Sequence, residues 1–474
     1  MQVTFLGACR GVTGSAHLVQ GGGTAGPGSP RFQGLLDCGL FQGGQKAEEQ
    51  NREPFPFDPR RLDFVILSHA HIDHSGRLPL LVRHGFCGPI FATPATCDLC
   101  RLLLLDSAHI QEADSAWLNR RRQRSGLDPV RPLYSVDDVE AALRLLRPVG
   151  YGRRFSPAPG LEARLVDAGH ILGSAFVELW EGGASGPAHL LFSGDLGHRG
   201  KPIVRDPEPA RGAECLVLEG TYGDRVHEPS EEASEALRRI IAQTHSAGGN
   251  LVIPSFAVGR TQELLYLLNG LIQTGRVPDL PVYLDSPLAI GITEVFEAHP
   301  ECYDRDALRR VRQHDDPFDF PGLRLVRTVE ESRALNSASG IVIIASSGMA
   351  EGGRVRHHLK HNLWRPESTV LFVGYQAQGT LGRRILDGAR TVAILGEEIA
   401  VRARIAHISG LSAHADASEL VEWVEAMPLR PRRAYLVHAE PQAAEALALS
   451  LRERTRIEVS APALGEAASI PTPG

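Results

Sequence analysis

The sequence predicts an α/β protein in which one α/β segment is inserted into another fold. Three observations carry this. From about Glu214, strand-like and helix-like stretches alternate, as in "ECLVLEGTYGD", "GGNLVIPSFAVGRTQELLYLLNGL" and "STVLFVGYQAQGTLGRRIL". Such alternation implies a mostly parallel sheet with helices on both faces. Before it, short strand-like runs separated by turn residues dominate, and near Thr391 that texture returns in "ARIAHISGLSAHAD" and "RRAYLVHAEPQAAEALALSLRER". The expected division is therefore residues 1–213 and 391–474 for the outer fold and 214–390 for the insertion. A chain of 474 residues has room for two or three domains.

In chain order, "MQVTFLGA" and "GSAHLVQ" read as hairpin strands, followed by a Gly/Pro/Ser loop from Gly21 to Pro30 and a strand in "GLLDCG". "LDFVILS" is a strand that runs straight into "HAHIDH". "GPIFATPAT" is another, feeding a helix that starts near Pro94. Cys97 and Cys100 lie three apart on that helix and share a face, which places them in the core rather than in a redox or zinc pair. Residues 137–147, "DDVEAALRLLR", have helical spacing of apolar positions. Strands follow in "LEARLVDAGH", "SAFVELWE" and "AHLLFSGDLG".

Composition narrows the function. The longest apolar runs are strand-sized and the N-terminus begins as a strand, so neither a membrane span nor a secretory signal is expected. Seven scattered cysteines then imply reduced thiols and a cytoplasmic protein with no membrane partner. A net charge of −6 does not favour a nucleic-acid binder overall, so an anionic substrate needs local cations or metal. The densest basic run is Arg120, Arg121, Arg122 and Arg124, a pattern that is most often a solvated helix face.

The chemistry concentrates in "VILSHAHIDHSGRLP". His69 and His71 alternate on an extended backbone and can point one way. Asp73 and His74 come as the chain turns into a helix. Imidazole nitrogens with a carboxylate suit a divalent ion such as zinc. The spacing serves two neighbouring ions, His69 and His71 for one, Asp73 and His74 for the other. His170 in "LVDAGHILGSAF" and Asp195 in "HLLFSGDLG" each follow a strand and precede a small or glycine-rich turn, where a sheet-edge site would be completed.

These ordered motifs resemble the metallo-β-lactamase superfamily, and Asp37 in "LLDCG" matches the aspartate that precedes them. The resemblance implies an αββα sandwich with a dinuclear zinc site. His69, His71, His170 and Asp195 would hold one zinc; Asp73, His74, a bridging Asp195 and one further histidine would hold the second. Asp37 would orient a ligand rather than bind metal. After the long α/β segment, Glu219 in "LEGTYGDR", His414 in "LSAHAD" and His438 in "LVHAE" resemble the pattern of the β-CASP nucleases, as do "SSGMAEGGRVRHHLK" and "GYQAQGTLGR". That resemblance covers essentially the whole chain. It implies a zinc-dependent ribonuclease with two Zn²⁺ per chain, mainly endonucleolytic, using a metal-activated hydroxide. His438 completes the second zinc and His414, supported by Glu219, is the general acid, so products carry 5′-phosphate and 3′-hydroxyl ends. RNA is the expected partner, with a homodimer left open. Manganese is an open alternative because N/O ligands accept several divalent ions. Glycine-rich turns at Ser346–Gly348 and Gly352–Gly353 would offer amides to substrate phosphates from Ser347 and Gly348, with charge from Arg354 or Lys360. The competing readings are a DNA nuclease or small-ester or thioester hydrolase on the same scaffold, and a non-catalytic RNA-processing subunit.

Overall fold

Period-two burial along the strands separates two cores. Leu161, Ala163 and Leu165 enter one buried cluster while Val166 enters another. Leu190 and Phe192 oppose Leu191 in the same way, and Cys215 and Val217 oppose Leu216 and Leu218. Strands buried on both faces are sandwiched between layers. The computed structural model describes residues 1–21, 31–182, 188–227, 230–374, 376–408 and 410–470. The loop expected at Gly21–Pro30 lies, from residue 22 on, outside them.

The first sheet runs, edge to edge, Ala467–Ser469, Gln2–Phe5, His17–Gln20, Gln33–Leu36, Phe64–Ile66, Ile90–Ala92 and Leu146–Pro148. The second runs Glu458–Ser460, Arg433–Val437, Cys215–Glu219, Ala188–Phe192, Ala175–Glu181, Leu161–Asp167 and Arg154–Ala158. Their inner faces share the cluster that contains Val3, Phe5, Val19, Leu36, Phe64, Leu165, Phe192 and Val437. The outer face of the second sheet is covered by helices Ala417–Glu425 and Pro441–Thr455, through Leu420, Val424, Leu447 and Leu451. Helices Leu78–Arg83, Pro94–Arg124 and Val136–Leu143 pack together on the side of the first sheet. The expected α/β class and sandwich therefore hold. Cys97 and Cys100 are buried on the helix from Pro94, as their spacing implied. The helix read at 137–147 stops at Leu143, and Leu146–Pro148 becomes an edge strand of the first sheet.

A third sheet of six parallel strands, ordered Leu323–Leu325, Val282–Leu284, Val342–Ala345, Leu251–Pro254, Thr369–Phe372 and Arg404–His407, forms the second compact unit. That unit comprises Gly200–Arg205 and His227–Ala413; the first comprises Met1–Arg199, Asp206–Val226 and the chain from His414 onward. The boundaries at 213/214 and 390/391 shift accordingly. Cys215–Glu219 pairs in parallel with Ala188–Phe192 and with Arg433–Val437, so it is a central strand of the sandwich rather than the opening strand of the insertion. Arg404–His407 pairs with Thr369–Phe372 and so closes the insertion rather than reopening the sandwich. No helix among the described residues is long and apolar enough to cross a membrane.

Phe192 sits between the two sheets at 1 % exposure. Phe192→Ala is expected to destabilise the sandwich by about 3–5 kcal/mol, measured as a shift in the denaturant midpoint followed by near-ultraviolet circular dichroism.

Candidate metal centre

All but one of the site residues lie at the end of a strand or just beyond one. The fully buried strand Phe64–Ile66 delivers Ser68, His69 and His71, and His71 begins the short helix Ile72–Ser75 that carries Asp73 and His74. His170 follows Leu161–Asp167, Asp195 follows Ala188–Phe192, Glu219 ends Cys215–Glu219, and His438 follows Arg433–Val437. His414 has no strand of its own. It is placed by an isolated antiparallel bridge to Gly197 and by the Ala415 amide, which donates to the Leu196 carbonyl at 2.8 Å. Asp416 then caps the helix Ala417–Glu425, accepting from the Ser418 and Glu419 amides. Gly197 is required here, since a Cβ would lie 1.9 Å from the Gly169 carbonyl oxygen and force apart the turns that carry Asp195 and His170.

The ligand atoms converge. His69 Nε2 is 3.1 Å from His71 Nδ1, His170 Nε2 is 3.2 Å from the same atom, and His74 Nε2 is 3.3 Å from His438 Nε2. A tetrahedral zinc with bonds of about 2.0–2.1 Å to nitrogen has ligand–ligand edges of about 3.3–3.4 Å. Donor atoms of His69, His71, His170 and Asp195 lie within 4.8 Å of one another, and so do those of Asp73, His74 and His438. Asp195 stands between the groups: its Oδ2 is 3.5 Å from His69 Nε2, 3.3 Å from His74 Nε2 and 3.7 Å from His170 Nε2. Its Oδ1 is buried with no hydrogen-bond partner. A carboxylate with one oxygen orphaned and the other facing clustered imidazole nitrogens fits a divalent cation better than any internal hydrogen bond.

The outward nitrogens fix which atom faces the centre. Asp37, itself fully buried, takes the His74 Nδ1 proton at 2.7 Å. It also accepts from the Ser68 hydroxyl at 2.9 Å, the Ser68 amide at 2.8 Å and the Ser15 hydroxyl at 3.1 Å. With its own proton on Asp37, the Ser68 oxygen receives His69 Nδ1–H at 3.0 Å. A parallel relay holds His438: its Nδ1 lies 3.0 Å from the Thr221 hydroxyl, which donates to Glu219 Oε2 at 2.6 Å. In each case the Nε2 lone pair is left for the centre. Glu219 accepts the Leu196 amide at 2.6 Å on its other oxygen and lies 3.1 Å from His414 Nδ1.

Charge follows from these contacts. Burial holds the His69 ring well below its ordinary pKa and puts that of His71 at about 4, so both are neutral donors. Burial would lower His74 too, but Asp195 and Asp37 on its two sides raise it well above normal, so with no ion bound Nε2 also carries a proton, which a bound ion would displace. Burial works against a charged Asp195, yet His438, His74 and His69 hold its carboxyl well below the usual range. His414 differs: burial disfavours its cation, but Glu219 and then Asp195 raise its pKa above the ordinary value.

The structure thus brings together His69, His71, Asp73, His74, His170, Asp195, His438, His414 and Glu219, with Asp37 behind His74. Sequence reasoning missed Thr221 and Ser68, short hydroxyls beside a site residue that look like turn residues in one dimension. The residues expected at substrate phosphates have partners within the protein. Arg354 donates to the buried Asp285 at 2.6 Å and to the Val326 and Arg327 carbonyls, alongside His358 and Ser332 on the same carboxylate. Lys360 is paired with Glu397 at 2.5 Å. Both cations are neutralised inside their own unit. Gly348 lies against the Phe256 ring, where a Cβ would come within 2.7 Å, and the Ser347 hydroxyl receives the Gly352 amide at 3.3 Å.

Residues 34–148 match the metallo-beta-lactamase superfamily, 261–385 the Beta-Casp domain, and 398–462 the Zn-dependent metallo-hydrolase RNA specificity domain. Ribonuclease TTHA0252 of Thermus thermophilus is 40 % identical over 467 residues, covering 98 % of this chain and 99 % of the relative. The chain belongs to the β-CASP ribonuclease family of the metallo-β-lactamase superfamily. Relatives named transcription termination factor FttA also match: that of Pyrococcus abyssi is 36 % identical over 98 % of this chain and 70 % of its own, and that of Methanosarcina mazei 32 % over 97 % and 70 %. The expected enzyme class, a metal-dependent RNA hydrolase, stands with this membership. The RNA-specificity match includes both His414 and His438.

Asp37→Asn and Thr221→Val each remove the group that fixes a ligand's Nδ1 proton. Each is expected to weaken metal affinity about 10–100-fold, measured by competition with a chromogenic chelator, with the far-ultraviolet spectrum unchanged. Wild-type affinity in both variants contradicts the relay.

Proposed function

We propose that this β-CASP enzyme cuts RNA mainly at internal phosphodiesters, with two divalent ions per chain, zinc in the first place, leaving 5′-phosphate and 3′-hydroxyl ends. The observation that carries this reading is the place of Asp195, whose Oδ2 is 3.5 Å from His69 Nε2 in one ligand group and 3.3 Å from His74 Nε2 in the other, with His414 held by Glu219 beside them. His69, His71 and His170 with Asp195 would hold one ion; Asp73, His74 and His438 with the same carboxylate would hold the other. Bound there, the ions would supply charge neutralisation for a phosphodiester and a water acidified toward neutral pH.

The chain's own groups do the rest. Asp37 and Glu219 keep the ligand rings oriented. His414, its side chain 19 % exposed, is open to substrate, whereas His69, His74, His170 and His438 are buried. In its charged form Nδ1–H stays on Glu219 and Nε2–H is delivered to the leaving 3′-oxygen. Attack by water rather than by the ribose 2′-hydroxyl leaves the phosphate on the 5′ side. The full set of ligand types supports catalysis over a scaffold role, and the RNA-specificity match supports RNA over DNA or small esters.

RNA labelled at either end should give internal fragments with those termini, and single-stranded DNA of the same sequence should be cut far more slowly. His414→Ala is expected to keep both ions yet lose about 10²–10⁴-fold in kcat, whereas His438→Ala loses one ion. The reverse pattern would exchange their roles.

A reaction that needs protonated His414 slows as pH rises through its pKa. Glu219→Gln removes the carboxylate that raises that pKa, so the alkaline limb of kcat is expected to move to lower pH. A limb that stays put contradicts the assignment.

A further inference from the structure

The helix Pro94–Arg124 packs along only its first half. Its last buried residue is Ala108, and from His109 to Arg124 every position is exposed or half-buried. Sixteen residues, roughly 24 Å of helix, therefore project as an arm. The chain that returns from its tip is pinned. Asn119 donates to the Val130 carbonyl at 2.9 Å and accepts the Val130 amide at 2.7 Å, and Arg122 donates to the Asp128 carbonyl at 2.6 Å. The tip is held in one shape without a core of its own.

That tip is densely basic. Residues 117–131 hold five arginines against one aspartate, while the whole chain has a net charge of −6. Some other exposed arginines have carboxylate partners, such as Arg60 with Asp58, Arg154 with Glu162 and Arg199 with Glu422. Among the described residues, no carboxylate pairs with Arg120, Arg121 or Arg124. Trp117 is 53 % exposed, with the Arg121 guanidinium 4.9 Å from its ring centroid. A solvated helix face accounts for charge, but not for a large exposed indole among unpaired arginines on a braced tip. Free cations beside an open aromatic face match the phosphates and bases of a single strand, without reading base edges.

The arm also has a fixed reach. At the other end of the same helix, the Thr93 and Thr96 hydroxyls donate to the Gly173 carbonyl at 2.6 and 2.8 Å, within the turn that follows His170. Trp117 lies about 35 Å along the helix from Pro94. At about 3.4 Å per nucleotide, a stacked strand covers that length in about ten nucleotides. We infer that Trp117–Arg131 is a sequence-independent anchor for single-stranded RNA, about ten nucleotides from the bond that is cut. This rests on the ribonuclease reading and adds a site to it.

The test uses the full chain loaded with zinc, and oligouridylates of about 8 and about 30 nucleotides. Trp117→Ala is expected to raise KM for the longer RNA about tenfold and leave both constants for the shorter one unchanged; Trp117→Phe should restore most of the loss. The triple variant Arg120→Glu, Arg121→Glu, Arg124→Glu should also reduce the salt slope of log Kd for the long RNA by about 2, near 0.7 per lost phosphate contact. Fluorescence anisotropy of labelled 30-mer measures this binding without turnover. Unchanged long-RNA binding in both variants overturns the inference, as does an equal loss on both lengths. Loss of self-association in light scattering with RNA affinity intact overturns it in favour of a protein contact. If the wild-type chain cuts neither RNA, the ribonuclease reading fails, and the anisotropy result still decides the arm.

Discussion

The site depends on one constraint: buried imidazoles can serve as metal donors only if something fixes the proton on the nitrogen that faces away. Two carboxylates, Asp37 and Glu219, both with no exposed surface, meet that constraint for His74, His69 and His438. Asp37 reaches His74 directly and His69 through Ser68; Glu219 reaches His414 directly and His438 through Thr221. A buried carboxylate without such partners is costly. Here each is satisfied by the groups it orders, so the supporting layer and the ligand layer stabilise one another.

The strands explain why these residues meet at all. Each buried strand ends in a turn whose backbone must pass close to another turn. A Cβ at Gly39 would lie 1.6 Å from the Asp73 carbonyl oxygen, and one at Gly197 would lie 1.9 Å from that of Gly169. These close approaches bring the Asp37 turn against the Asp73 helix and the Asp195 turn against His170. The inter-sheet core beneath, with Phe5, Leu165 and Phe192, makes the sheet ends a rigid base. Catalytic geometry is thereby tied to packing, and a core truncation is felt at the site before the fold is lost.

Much of this was legible in one dimension because it is local. "HAHIDH" announces a metal site through spacing alone, and strand–turn punctuation places His170 and Asp195. What could not be read depends on contacts distant in sequence. Cys215–Glu219 looks like the first strand of a βα unit, and only its pairing with Arg433–Val437, more than two hundred residues on, assigns it to the sandwich. Thr221 gains its meaning from His438 in the same way. Arg354 and Lys360 look like free cations until Asp285 and Glu397 are brought to them. The projecting half of Pro94–Arg124 was hidden for a different reason, since helical spacing does not reveal where packing stops.

The most direct test of the account is anomalous diffraction at the zinc absorption edge from crystals of the zinc-loaded chain. The arrangement predicts two peaks, one among His69, His71 and His170 and one among Asp73, His74 and His438, with the Asp195 carboxylate touching both. A single peak, or two peaks with Asp195 bound to only one, would contradict it.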